Sequence, residues 1–117
     1  MTYMLLIVEP PDQRSERSVE AGHLAYDRML RFTEDLKKRG VLRASESLTS
    51  SAEGVRVRVH DGQRRLLDGP FAESKEMIGG FFLLDCATRE EAVAIAAECP
   101  AAEWCDIEVR KIGPCWA

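Results

Sequence analysis

The sequence predicts an α+β fold in which a β-sheet carries both of its helices on one face. Two observations lead to this prediction. The predicted elements run strand, helix, strand, then a hairpin, then strand, helix, strand. Right-handed crossovers between strands that a helix separates bring both helices to the same side of a sheet. We expect one domain over residues 1–117, since this length and a content of 45% hydrophobic and 31% charged residues are typical of a single globular unit.

The first half of the chain supplies a strand, a long helix and a second strand. Residues 2–8 form an apolar run that ends before Pro10 and Pro11, because proline cannot continue a strand ladder. Residues 11–18 are polar and predict a loop. Gly40 is a plausible end for the helix that follows, and residues 41–48 predict a weaker strand. Apolar residues at helical spacing predict that helix over 19–39: Leu24, Tyr26, Met29, Leu30, Phe32 and Leu36.

A hairpin is predicted in the middle of the chain. Val55, Val57 and Val59 alternate with polar residues, which is the period of a strand. Asp61-Gly62 is a strong two-residue turn signal, because both residues tolerate positive φ. Residues 63–67 then return as the partner strand, and the Asp-Gly-Pro-Phe segment over 68–71 ends the pairing.

The second half repeats the strand, helix, strand order. Residues 80–86 predict a buried strand, and 105–112 predict the last one. Thr88 and Glu91 form a capping box that opens an alanine-rich helix, which Pro100 terminates. The whole order is that of a ferredoxin-like α+β fold with an inserted hairpin. The face of the sheet without helices needs a cover, so we expect a homodimer with facing sheets.

Composition excludes several classes of function. Sixteen basic and twenty acidic residues give a net charge of −4, which argues against a general nucleic-acid binder. No apolar run is long enough to span a membrane and no export signal is recognisable, so a cytoplasmic protein is expected.

The four cysteines form no close pair and lie far from both histidines, so we expect no metal site. Cys86 and Cys99 are expected in the core. No phosphate- or dinucleotide-binding glycine motif is present, and no cofactor is expected.

Gly79-Gly80-Phe81-Phe82 has some similarity to the aromatic strand of RNA-recognition motifs. Stacking platforms need aromatic residues two positions apart, because adjacent residues of a strand point to opposite faces. Phe81 and Phe82 are adjacent, so core packing is favoured over RNA stacking.

Arginines on the hairpin form a second candidate site. Arg56 and Arg58 share one face and together suit a carboxylate or phosphate group of a small-molecule ligand. The alternative is that they belong to the solvated face of the hairpin and discourage edge-to-edge pairing with other chains.

His23 is the candidate acid–base residue. Imidazole titrates near neutral pH, and a carboxylate partner fixes its tautomer. The fold has to supply that partner, and the candidates are Asp68, Glu73 and Glu76. The alternative is a packed or solvated histidine, and for Asp68 it is a structural role in which the carboxylate caps its own turn.

The central segment resembles a known family. Residues 68–76, Asp-Gly-Pro-Phe-Ala-Glu-Ser-Lys-Glu, run into Ile-Gly-Gly-Phe-Phe-Leu over 78–83 and are similar to the signature of the DGPF branch of YCII-related proteins. The apolar opening at residues 3–7 and the closing segments 99–102 and 107–110 also fit. This resemblance implies a dimeric ferredoxin-like fold of the α+β barrel type.

The resemblance also bears on the site. Ala-Gly-His-Leu over 21–24 is similar to the first-helix histidine motif of the wider family, in which a histidine and an aspartate are proposed at a cleft. Members outside the DGPF branch tend to carry Asp-Pro after the second helix, where this chain has Cys99-Pro100, so Asp68 would have to substitute. A solvated loop is the first reading for Glu73 and Lys75, and the rim of a pocket is the functional one. Gly79 is a candidate for close approach of a ligand to the backbone.

Two functions follow as hypotheses. The first is a cofactor-independent enzyme in which His23 and Asp68 perform acid–base chemistry on a small molecule in a dimer cleft. The second is a dimeric module that binds or senses a small ligand without turnover. A protein-interaction subunit is a third reading, based on chain size and the apolar sheet face.

Overall fold

The fold is given by a computed structural model, which describes residues 1–116; Ala117 lies outside the described residues. Six strands and three α-helices follow one another along the chain. Two short 3-10 helices, Ser51–Glu53 and Pro100–Glu103, complete the described structure. The elements are β1 (Thr2–Glu9), α1 (Gln13–Glu16), α2 (Val19–Lys38), β2 (Leu42–Ser47), β3 (Val55–His60), β4 (Gln63–Asp68), β5 (Met77–Asp85), α3 (Arg89–Glu98) and β6 (Asp106–Lys111).

Four of the strands form one antiparallel sheet in the order β2-β5-β1-β6. The two central strands are therefore β1 and β5, which come from opposite halves of the sequence. Ile7 faces Gly80 and Val8 faces Ile78, so Gly79 is an extra residue on β5 and forms a β-bulge. This order confirms the ferredoxin-like α+β fold.

The core lies between the sheet and the two long helices. Alternation along β1 turns Tyr3, Leu5 and Ile7 toward the helices, and all three are buried. Phe82 on β5 meets Phe32 on α2 edge to face, with ring centroids 5.3 Å apart. The remaining buried members are Leu36, Leu84, Cys86, Ala92, Ile95, Ala96, Cys99 and Ala101. The expectation that Cys86 and Cys99 are core residues is confirmed.

Only part of α2 packs tightly on the sheet. Ser18 caps its first turn by accepting a hydrogen bond from the Ala21 backbone N–H at 3.1 Å. Phe32 and Leu36 in the second half are buried, whereas Tyr26 in the first half is exposed. The apolar stripe read from the sequence is thus buried at one end of the helix and open at the other.

The hairpin of β3 and β4 stands apart as a separate two-stranded sheet. Asp61 and Gly62 both have positive φ at its turn, as the sequence predicts. All twelve strand residues of the hairpin are exposed. The radius of gyration is 16.0 Å, above the roughly 13 Å of a compact domain of this length. The hairpin extends away from the core.

Two boundaries differ from those read from the sequence. The segment expected to be a loop over 11–18 contains the short helix α1, which the composition does not indicate because its residues are all polar. The strand expected to begin at residue 80 begins at Met77, because pairing with β1 continues across the glycine bulge. In the described part of the chain, no helix combines the length and the apolar character that crossing a bilayer requires.

Candidate functional site

A cavity of about 630 Å³ lies between residues 22–33 of α2 and the sheet. Its floor is formed by the ends of β1, β2 and β5, and the loop after β2 forms part of its rim. A volume of this size accommodates a small-molecule ligand. The side chains and backbone that the functional argument uses are Glu9, Arg14, Arg17, Tyr26, Ser47, Gly79 and Trp104.

Glu9 places a carboxylate at one end of the cavity. It continues the inward face of β1 that begins with Tyr3, Leu5 and Ile7, and it is only 4% exposed. Burying a carboxylate is costly unless it is paired with a cation and hydrogen-bonded. Arg14 meets this need, because its Nε donates to Glu9 Oε1 over 2.9 Å.

Arg14 also ties three segments of the chain together. Its Nη1 donates to the carbonyl oxygen of Leu48 over 2.7 Å, and its Nη2 donates to that of Gly79 over 3.2 Å. The helix that carries Arg14 follows directly on Pro10 and Pro11, where β1 ends. One guanidinium therefore links the end of β1, the loop after β2 and the bulge of β5 around the buried carboxylate.

Gly79 makes room for this ion pair. A side chain at this position would begin inside the Glu9 carboxylate and against Nη2 of Arg14. The absence of a Cβ is thus required by the close approach of the ion pair to the bulge.

Arg17 and Trp104 form the neighbouring wall of the cavity. The guanidinium carbon of Arg17 lies 5.6 Å from the centroid of the Trp104 ring, within cation–π range. Gln13 holds both residues, since its Oε1 accepts from Arg17 Nη2 at 3.2 Å and its Nε2 donates to the Trp104 carbonyl oxygen at 2.6 Å. Arg28 stacks on Trp104 as well, with its guanidinium carbon 5.5 Å from the ring centroid.

Cys105 lies behind this end of the cavity and is kept neutral. Burial raises the pKa of its thiol to about 11, and the negative charge of Glu9 adds to the rise. Its Sγ donates to the carbonyl oxygen of Ala101 over 3.2 Å. A neutral, hydrogen-bonded thiol is a poor nucleophile, so Cys105 is a packing residue here.

His23 and Asp68 lie on different parts of the molecule. His23 is on the exposed side of α2, and Asp68 is the last residue of β4, where it faces Val55 across the hairpin. Within residues 1–116 no hydrogen bond or ion pair joins them, and neither lines the cavity. The His23–Asp68 dyad stays a prediction, because one chain does not show whether the two residues meet across a dimer.

The segment Asp68–Phe71 has a structural role in this chain. Gly69 packs so closely on the carbonyl of Ser51 that a Cβ there would overlap its oxygen, and the Gly69 N–H donates to Gly54 at 2.8 Å. The Gly69–Pro70 peptide bond is cis. These contacts fix the root of the hairpin on the loop before it.

The predicted hairpin and loop ligands lie outside the cavity. The Arg56 guanidinium lies 3.9 Å from the centroid of the Phe71 ring and donates to Ser74 Oγ over 3.0 Å, which holds the loop in place. Arg58, Glu73 and Lys75 are exposed. Gly79 alone among the predicted ligand-binding residues lines the cavity; a ligand contact at any of these positions stays a prediction.

Sequence reasoning missed Glu9, Arg14, Arg17 and Trp104. A signal for Glu9 was available, because the period-two face of β1 that buries Tyr3, Leu5 and Ile7 continues to this carboxylate. Arg14 and Arg17 sit in a polar segment with no pattern, and only the folded contacts single them out.

In the described residues no group of three metal-binding side chains occurs.

The chain belongs to the YCII-related family. A model of the YCII-related domain matches residues 1–115, which confirms the resemblance seen in the Asp-Gly-Pro-Phe segment. The chain is also similar to an uncharacterised protein of Rhizobium meliloti (strain 1021), with 39% identity over 51 residues. That match spans 44% of this chain and 41% of the relative, so it covers less than half of either protein.

A solved structure shares the fold. It is 5-chloro-2-hydroxyhydroquinone dehydrochlorinase (TftG) from Burkholderia phenoliruptrix AC1100 in complex with 2,5-dihydroxybenzoquinone. The TM-score is 0.59 over 97% of this chain and 94% of that chain, at 15% sequence identity. At this identity the likeness shows the fold alone.

Proposed function

We propose that this protein is a small-molecule enzyme that performs acid–base chemistry in the cavity beneath α2, with Glu9 as the acid–base group. The observation that carries the proposal is a buried carboxylate at the wall of an open cavity. Buried ionisable groups in clefts are common at catalytic sites, because a carboxylate is a proton acceptor that a folded chain can aim at a substrate.

The two oxygens of Glu9 have different surroundings. Oε1 accepts the hydrogen bond from Arg14, and within residues 1–116 no hydrogen bond to Oε2 is present. No sealed-off side-chain oxygen of the described residues lacks a partner, so Oε2 keeps some exposed surface, and Glu9 lines the cavity. Arg14 thus orients the carboxylate while Oε2 stays free to accept or return a proton.

The reaction class we propose is proton transfer that leads to isomerisation or elimination. In such an elimination the base removes a proton and the leaving group departs with its bonding electron pair, so no oxidant or reductant is needed. The family and a structural neighbour that is a dehydrochlorinase support this class. A protein that binds a small ligand without turnover is the alternative.

The test is turnover by a Glu9→Gln variant. Gln keeps the size of the side chain and an oxygen for Arg14 but cannot accept a proton. Chloride release from 5-chloro-2-hydroxyhydroquinone, together with a panel of related chlorinated hydroquinones, is the assay. We expect Glu9→Gln to lower the rate at least about 100-fold. Glu90→Gln, an exposed carboxylate on α3 that does not line the cavity, is the matched control and should keep the wild-type rate.

The same assay decides between Glu9 and the predicted dyad. His23→Ala and Asp68→Asn are measured beside Glu9→Gln. Loss of turnover in these two variants, with Glu9→Gln active, would assign the chemistry to His23 and Asp68. Since no contact joins these residues within one chain, that result would also require groups from two chains. Binding of the substrates without turnover by any form of the protein would favour the non-enzymatic module.

We also propose that the protein is a homodimer, and two surfaces support this. The face of the sheet opposite the helices carries the apolar row Met4, Leu6, Phe81 and Leu83, which is only half-buried. On the hairpin, paired residues share a face, and that face presents exposed aliphatic side chains, with Val57 60% and Val59 68% exposed. In the proposed dimer a second copy covers both surfaces. A standard interface involves roughly 20 residues on each side, which these two surfaces together can supply.

Sedimentation velocity at micromolar concentration tests the dimer. We expect a dimer for the wild type and a folded monomer for Leu6→Lys and for Val57→Lys, because each buries a charge in the interface. Arg58→Ala, on the other face of the hairpin, is the control and should stay dimeric. A monomeric wild type would overturn the proposal. The cytoplasmic location expected from the sequence stays a prediction.

A further inference from the structure

The charges around the cavity do not balance. Four charged residues border it: Glu9, Arg14, Arg17 and Glu46. Glu46 faces Phe81, on the side of the sheet that Leu6 shares, so its side chain points away from the helices. Glu9 and Arg14 neutralise each other through their ion pair. Of these four residues, Arg17 is therefore the one whose charge faces the cavity without a neutralising partner among them.

The neighbours of Arg17 hold it without neutralising it. Its two fixed contacts are the Gln13 side-chain oxygen and the face of Trp104, and both are neutral groups. Within residues 1–116 no carboxylate forms an ion pair with Arg17. Arg28, the other arginine on Trp104, differs in this respect because it is paired with Glu103 and does not line the cavity.

A half-buried guanidinium with free donors is a site for an anion. Its planar fork matches the two oxygens of a carboxylate, and reduced solvation strengthens the interaction. The rest of the wall limits the ligand further. Tyr26, Met29 and Leu30 contribute apolar and aromatic surface from α2, and Ser47 and Thr49 contribute hydroxyls from the rim. These surroundings suit a small ring that carries an acidic group.

We propose that the cavity takes a small aromatic anion, a ring carboxylate or phenolate, and that Arg17 binds its charge. The inference rests on the proposed function, since it names the substrate class of the same cavity. Arg17 is then a specificity-determining residue: it selects charged over neutral rings, while Glu9 remains the group that moves the proton.

The test compares two probes that differ only in charge, 2,5-dihydroxybenzoate and 2,5-dihydroxybenzamide. The readout is the NMR signal of the Trp104 indole N–H. Trp116, which is 86% exposed, provides an internal control signal in the same spectrum. We expect the wild type to bind the benzoate about ten-fold or more tightly than the benzamide, because a hydrogen bond to a charged group contributes that much.

Two variants locate the preference. Arg17→Gln should abolish it by weakening the benzoate and leaving the benzamide unchanged. Arg28→Gln is the matched control, because it also removes an arginine from Trp104 but takes no charge from the cavity wall. It should retain the preference.

Equal binding of the two probes by the wild type, absence of binding by both, or an unchanged preference in Arg17→Gln would each overturn the inference. The proposed function fails by a different result, namely full turnover in Glu9→Gln. Equal binding of the two probes by a wild type that turns over chlorinated hydroquinones, with Glu9→Gln inactive, would overturn only the role of Arg17.

Discussion

The four-stranded sheet with its helices and the β3–β4 hairpin differ in how their apolar residues are covered. In the former, β1 and β5 bury alternate residues against α2 and α3, and Leu5 and Leu84 have no exposed surface. In the hairpin, valines and leucines of the same character have no covering layer, and both strands are exposed throughout. An isolated two-stranded hairpin is at best marginally stable in water. The same strand pattern is thus buried in one region and leaves its apolar residues exposed in the other.

The two regions also differ in charge. The hairpin carries four arginines and two aspartates, whereas the whole chain has a net charge of −4, so the remainder of the chain is more acidic than the whole. Arg58 and Arg65 face each other directly across the two strands. Like charges in that position destabilise a hairpin. This repulsion adds to the marginal stability of a hairpin that has no covering layer of its own.

The largest effect should come from truncating a leucine in the core, and the same truncation in the hairpin provides the comparison. Leu84→Ala leaves a cavity in the closed core and should lower the free energy of unfolding by about 2–5 kcal/mol. Leu66→Ala, which is 57% exposed in the hairpin, should change it by no more than about 0.5 kcal/mol when the protein is dilute enough to be monomeric. Urea unfolding at several protein concentrations provides the measurement.

Concentration separates the two leucines further. If the proposed dimer buries Leu66, the effect of Leu66→Ala should grow with protein concentration, while that of Leu84→Ala should stay constant. Equal effects of the two substitutions in the dilute monomer would show that the hairpin packs on its own chain, and the contrast between the regions would be lost.

Local patterns predicted most of the elements of this fold. The alternation of Val55, Val57 and Val59 with the Asp61-Gly62 turn predicts the hairpin that is found. The N-cap half of the predicted capping box forms, since Thr88 Oγ1 accepts from the Glu91 N–H at 3.2 Å. There the carboxylate of Glu91 reaches the Ala87 N–H at 2.9 Å and not that of Thr88. Such features depend only on residues that are close together in the sequence, so the sequence alone can predict them.

The cavity could not be predicted in the same way. It depends on contacts such as that of Glu9 with Gly79, which are 70 positions apart and meet only because β1 and β5 pair in one register. The cavity under α2 is bordered by helix residues from Gly22 to Thr33, and a continuous apolar stripe does not show which part of the helix is buried. The sequence drew attention to His23 because imidazole is a common acid–base group. The residues that line the cavity are identified only by their positions in the fold.

A smaller effect than that of Leu84→Ala should come from the root of the hairpin, at Gly69. A methyl group there overlaps the Ser51 carbonyl oxygen, which is backbone and cannot turn aside. Gly69→Ala should therefore lower the opening free energy of the hairpin amides by about 1–3 kcal/mol, the range for forcing atoms into a packed site. The amides of Leu5 and Phe82 in the sheet should be unaffected. Hydrogen exchange followed by NMR reads both regions in one experiment.

Gly22→Ala is the matched control for this substitution. Gly22 lies inside α2 with open space where the methyl group would go, so the change should stabilise the helix by about 0.5–1 kcal/mol. The two variants differ only in where the same methyl group is placed. Protection lost evenly from the hairpin and the sheet in Gly69→Ala would mean that the two regions unfold as one cooperative unit. Loss confined to residues 55–68 would establish the hairpin as a separate unit, held to the core through the Asp-Gly-Pro-Phe segment.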